Sequence, residues 1–195
     1  MKITALNGIH TAGKTSIGRM LEKREGYTYL IETAEKVIDS IKDEGDIDGD
    51  TEFQRKIHRK EIKRDRKLLD KDLEHILIEI WHTGNIAHSM EVAKKEFVEE
   101  QKKDLKEKLE KDRFRIHAVF LDIEPEKVWY RSEVREEGDT EILRFYRKVK
   151  ENHFKLYREL GIPYSVVDNN GNIEETYQRV KEIIENPGQN SNKYR

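Results

Sequence analysis

The sequence predicts an α/β fold in three layers, a parallel sheet with helices on both faces, and three observations carry that prediction. Five apolar, β-prone runs, Lys2–Leu6, Tyr27–Ile31, Ile76–Ile80, Ile116–Ile123 and Tyr164–Val167, alternate with stretches of helical periodicity, as βαβ units do. Two of them, Ile76-Leu77-Ile78-Glu79-Ile80 and His117-Ala118-Val119-Phe120-Leu121, are continuous enough to be central strands covered on both sides. Polar residues, namely Asn7, Glu32, Glu79, Asp122 and Asp168, stand at or near the carboxyl ends of the runs. In an open parallel sheet that edge is where ligands bind.

Taken in order, the first run leads into Gly8-Ile9-His10-Thr11-Ala12-Gly13-Lys14-Thr15, a full G-x-x-x-x-G-K-[ST] pattern, and then into a helical stretch from Ser16 to Lys23. The spacing has a mechanical cause. Gly8 and Gly13 lack a Cβ, so the chain can turn tightly and aim successive N–H groups at phosphate oxygens. The helix that follows adds its free amides and positive dipole end. Within this cradle His10, Thr11, Ala12 and Ser16 are expected to border the phosphates. Lys14 meets the β- and γ-phosphates as a point charge, and the Thr15 hydroxyl ligates Mg²⁺.

Further helices are expected over Thr33–Glu44, Glu52–Asp72, Ile86–Asp112, Glu126–Glu137, Glu141–Leu160 and Ile173–Glu185. Asp122-Ile123-Glu124-Pro125-Glu126 reads as a helix start with Pro in the first turn, and Asn172 is an N-cap candidate with Glu175 three positions on. Asp43–Asp50 reads as a loop. Residues 1–186 are expected to form one domain, with 187–195 a polar, disordered tail.

Composition excludes several classes of function. The 195 residues contain no cysteine, which removes disulfides, thiolate metal sites and thiol nucleophiles together. Charged residues make up 40% yet sum to −2; such mixed signs describe solvated helix faces and not a nucleic-acid footprint. No apolar run has the length of a membrane span and no signal-peptide layout opens the chain, so a cytoplasmic protein is expected, with a homodimer left open.

Glu79 interrupts an apolar strand near its carboxyl end, where an acid either orients Mg²⁺ or takes the acceptor's proton; the alternative is an acid capping nearby amides. Glu32, closing the second run, has the same two readings, acceptor binding or capping. Arg131 and Arg135 lie four apart on one helix face, followed by Arg144 and Arg147 beyond a Glu137-Gly138-Asp139 break. They read as a lid over 131–147 whose guanidiniums stabilise the charge of a moving phosphoryl group, or as partners of surface acids. Trp81, His82 and Asn85, just past the third run, border the expected cleft and serve either acceptor recognition or loop packing. His82, His88 and His153 match no zinc spacing.

On these residues the chain resembles the thymidylate-kinase-like branch of P-loop nucleoside and nucleotide kinases. The loop at Gly8–Thr15 is specific to the superfamily. Narrower signals are Val119-Phe120-Leu121-Asp122-Ile123-Glu124-Pro125-Glu126, the Arg131/Arg135 position, and Val166-Val167-Asp168-Asn169-Asn170-Gly171-Asn172-Ile173-Glu174-Glu175. The resemblance implies a five-stranded sheet in the order 2-3-1-4-5, a place near adenine for the last segment and so for Asn170, and ATP with Mg²⁺. One departure bears on the substrate. The family follows its third strand with Asp-Arg or Glu-Arg, whereas here Glu79 is followed by Ile80; the acid survives, and the arginine that holds the acceptor's phosphate is lost. The expected function is ATP–Mg²⁺-dependent phosphoryl transfer to a nucleotide-like or nucleoside-like small molecule. The alternative is a nucleotide-dependent switch or regulator without such an acceptor.

Overall fold

The structure, a computed structural model, describes residues 1–34, 49–111, 114–128 and 140–187. Its centre is strand β1, Lys2–Asn7, where Ile3, Ala5 and Leu6 are wholly buried. Thr4 and Asn7 are buried in it as well, each with a hydrogen-bond partner. Strand β2 (Thr28–Leu30), β3 (His75–Glu79), β4 (Arg115–Asp122) and β5 (Tyr164–Asp168) complete one parallel sheet in the order β2-β3-β1-β4-β5. That is the order the resemblance implies. The flanks of β1 are β3 and β4, with Leu6 opposite Glu79 and Asn7 opposite Phe120. Their carboxyl ends therefore finish level beside the Gly8–Thr15 loop.

Six helices are described: α1 (Lys14–Glu25), α2 (Gly49–Leu69), α3 (His82–Val92), α4 (Lys95–Lys111), α5 (Thr140–Glu159) and α6 (Ile173–Glu185). Helix α1 packs against α6, and α3 packs against α5, α2 and α4. Asn172 caps α6 as expected, its side chain accepting from the Glu174 N–H at 2.8 Å. Among the described helices none is long and apolar enough to cross a membrane.

Two expectations need correction. The single helix over Ile86–Asp112 is two helices, with Ala93 extended at φ −97° and ψ 163° between them. The restart is held by a group distant in sequence, since the Lys94 N–H donates to Thr51 Oγ1 at 3.0 Å. The segment from His82 to Asn85 is already the first turn of α3 and not a loop before it. The remaining parts of the helices expected over Thr33–Glu44 and Glu126–Glu137, and the tail from 188, lie outside the described residues.

Candidate functional site: a phosphate loop facing a buried acid

Gly8 takes φ +151°, and a Cβ there would lie 2.8 Å from the Leu121 carbonyl oxygen and 2.9 Å from Ala12 Cβ. Only glycine allows the loop to lie this close to β4. Gly13 turns at φ +79° into α1, and Thr11 also adopts a left-handed φ of 56°. The loop walls a cleft of about 580 Å³ lined by His10, Thr11, Gly13, Lys14, Thr15 and Ser16, with Glu32, Glu79, Asn169, Gly171 and Ile173 closing it. Ala12 is buried beneath, its carbonyl turned to Asn169.

Lys14 is buried, and its ammonium donates to the Gly8 and Ile9 carbonyls at 3.3 and 3.1 Å. Burial lowers its pKa, while the charges of Glu32 and Glu79 act in the opposite sense. Thr15 Oγ1 donates to Glu79 Oε1 at 2.8 Å, and the Tyr29 hydroxyl donates to Glu79 Oε2. Burial, then that carboxylate, push the Tyr29 phenol far above its usual range, so it stays a donor. Glu79 is thus 3% exposed, held by two hydroxyls, and faces the first turn of the helix that carries Lys14. A hydroxyl and a carboxylate oxygen side by side are the hard oxygen donors that Mg²⁺ takes.

Directly after Glu79 the chain bends sharply. Ile80 still donates its N–H to the Leu6 carbonyl at 3.0 Å, but its φ is +45°, a conformation that costs a β-branched residue roughly 1–3 kcal/mol. The side chain is turned inward, 3% exposed, against Gly84, where an added Cβ would meet Ile80 Cγ2 at 2.5 Å. The position that carries the family's arginine therefore points into the core.

Several expected site residues lie elsewhere. Trp81, His82 and Asn85 are buried and do not line this cleft; the Trp81 indole and the His82 ring meet Asp65 of α2 at 3.3 and 2.8 Å. Burial alone would lower the His82 pKa, but Glu61 and Asp65 outweigh it and push it up to about 9. Asn170 is spent on its own loop, its amide and side chain donating to Asp168 and its Oδ1 accepting from the Glu124 N–H. Its neighbour Asn169 lines the cleft instead, with Nδ2 donating to the Ala12 carbonyl at 2.6 Å and Oδ1 accepting from Thr176 at 2.7 Å. Arg131 and Arg135 lie outside the described residues. In the described end of the segment expected to form a lid, Arg147 pairs with Glu126 on the surface, whereas Tyr146 stacks on His10 with ring centroids 6.5 Å apart. Tyr29 and Asn169 escaped the sequence reading because each acts through a partner 50 or 157 positions away.

The model of the AAA domain family matches residues 4–176, from β1 into α6. The chain belongs to that family. The matched AAA domain takes in the phosphate loop, Glu79 and Asn169, the residues that the cleft brings together. Among solved structures, it is similar to deoxyadenosine kinase from M. mycoides with bound dATP, at 14% identity and a TM-score of 0.64, covering 95% of this chain and 100% of that one. It is also similar to thymidylate kinase from Candida albicans (16%, 0.64, covering 95% and 91%) and to shikimate kinase from Acinetobacter baumannii in complex with shikimate (15%, 0.57, covering 96% and 94%). These likenesses establish a P-loop kinase fold. No curated protein matches the sequence.

Proposed function

We propose that this chain transfers the terminal phosphoryl group of Mg–ATP to a small acceptor of nucleoside-like or nucleotide-like character, from one domain spanning 1–186. The observation that carries the reading is the convergence of Lys14, Thr15 and Glu79 on one cleft, with Thr15 Oγ1 2.8 Å from Glu79 Oε1. A glycine-rich turn that merely joined a strand to a helix would need neither a buried lysine nor a buried acid opposite it. Lys14 places a positive charge against the β- and γ-phosphates, and the loop amides orient them. Thr15 and Glu79 would hold Mg²⁺, which when bound offsets the charge of the triphosphate. Glu32 faces the same space from the end of β2 and is placed to accept hydrogen bonds from an acceptor.

Ile80 bears on the class of acceptor. With no guanidinium there to hold an acceptor phosphate, the reading favours an acceptor that presents a hydroxyl. The same residue is the observation behind the competing reading, a nucleotide switch without a small acceptor. A screen of nucleosides, nucleoside monophosphates and other small hydroxyl compounds, following ADP formation from Mg–ATP, tests both. ADP formed in proportion to one acceptor, and abolished by Lys14→Ala in a protein with unchanged circular dichroism, is the expected result. ADP formation indifferent to every acceptor and raised by a macromolecule would favour the switch.

A further inference from the structure

Away from the phosphate cleft, His58, Glu61 and His82 each present a ligand atom within 4.8 Å of the other two, and all three side chains are buried. His58 and Glu61 are three apart on α2, so they share a face; His82 opens α3 directly opposite. The geometry points to a second metal site, one that takes a zinc ion through His58 Nδ1, Glu61 Oε2 and His82 Nδ1.

Two of the three atoms lack a hydrogen bond, and the third faces a carboxylate at ligand distance. His58 Nδ1 and Glu61 Oε2 are buried without a hydrogen bond among the described residues, a costly state for interior polar atoms. Glu61 Oε2 lies 3.3 Å from His82 Nδ1, an ion-pair contact that does not reach hydrogen-bond geometry. Two ligands about 2.1 Å from one tetrahedral zinc are themselves roughly 3.4 Å apart, so this pair already stands at ligand spacing. The two imidazoles lie edge to face with centroids 6.1 Å apart, which lets one ion sit between them after a small rotation of His58.

The outer contacts fit as well. Each ring holds a carboxylate on the nitrogen that faces away from Glu61: His82 Nε2 meets Asp65 Oδ2 at 2.8 Å, and His58 Nε2 meets Asp104 Oδ2 at 3.0 Å. A ligating histidine is almost always fixed in this way. Asp65 is in turn gripped by Arg64 at 2.9 Å and Lys108 at 3.4 Å. Beside the ligands lies a cleft of about 280 Å³ with His58, His82, Asp104 and Lys108 on its wall; it gives the ion an entry path and leaves a fourth position for water. Imidazole and carboxylate together suit zinc, while Mg²⁺ prefers oxygen alone. On binding, zinc takes neutral His82, whose ring proton leaves to solvent. Because His82 is three positions beyond Glu79, the ion would clamp the turn that follows β3 onto α2.

The test uses the full chain, stripped with chelator and titrated with Zn²⁺ in millimolar Mg²⁺ against a chromophoric competitor, with Co²⁺ as a spectroscopic substitute. One zinc per chain with submicromolar affinity is expected, together with tetrahedral Co²⁺ absorption. His58→Gln and Glu61→Gln should weaken binding about a hundredfold or more, and Asp104→Asn, which only positions His58, about tenfold. Asp104 is 44% exposed, so its substitution does not endanger the fold and remains decisive even where a buried variant unfolds. Absence of binding tighter than micromolar in the native chain overturns the proposal. So does affinity unchanged in Asp104→Asn, or affinity lost in Glu79→Gln, which would place the ion in the phosphate cleft.

Discussion

Glu79 is the residue on which the functional reading turns, because both of its oxygens are engaged by hydroxyls that reach it from other elements. Glu79→Gln keeps the shape and one acceptor oxygen while removing the charge. Turnover with the acceptor identified by the screen should fall by about a hundredfold or more, and the melting temperature should hold or rise, since a buried charge has gone. Calorimetry beside initial rates checks both; a variant that melts earlier and turns over normally would make Glu79 a structural acid. Much of this cleft was legible at residue level because the loop motif binds through backbone and adjacent side chains, so spacing alone reports it. Tyr29 was not legible, since nothing in Thr28-Tyr29-Leu30 announces an acid 50 positions away. His82 misled for the opposite reason. It follows the strand end closely enough to suggest the cleft, but the left-handed turn at Ile80 redirects the chain toward α2.

Among the elements, α1 and β2 meet at Gly18, where an added Cβ would fall 2.3 Å from the Tyr29 ring. That close approach is what allows the Tyr29 hydroxyl to reach Glu79. Gly18→Ala, although alanine is the better helix former, should destabilise the protein by about 1–3 kcal/mol, the range for overpacking. It should also weaken the Tyr29–Glu79 contact and lower turnover; urea unfolding and the Tyr29 hydroxyl's exchange rate measure the two effects. A gain in stability without loss of activity would show the helix to be free to shift. All five strands were legible to within about two residues at each end; β3 and β4, buried on both faces, leave continuous apolar runs, and the partly exposed β2 and β5 are short β-prone runs between helical stretches. The break between α3 and α4 was hidden because no glycine or proline marks it. Thr51, on a different helix, supplies the cap.

For the whole molecule, five histidines with lowered pKa values set the response to acid. Burial depresses the pKa of His75 to about 4, with Lys2 adding to it, and also lowers His10, His117, His88 and His153. A histidine depressed in the folded state contributes stability above its unfolded pKa near 6.5 and loses it as pH falls toward the folded value. Folding free energy should therefore drop between pH 6.5 and 5, by up to about 1.4 kcal/mol per pH unit for each such group, before the carboxylates begin to titrate. Urea midpoints at pH 7.5, 6.5 and 5.5 report it, and a flat profile would show these rings to be accessible. The bond from Asn169 to the Ala12 carbonyl has one more consequence, which concerns the order in which the chain is made. The group that holds the Ala12 carbonyl is synthesised 157 residues after Ala12 itself. Strand β1 likewise waits for β3 and β4 before either of its edges is paired. Since synthesis runs from the N-terminus and distant contacts close last, the nascent chain carries the Gly8–Thr15 loop unassembled until those partners have been made. The cleft is complete only once β5 and the start of α6 have emerged.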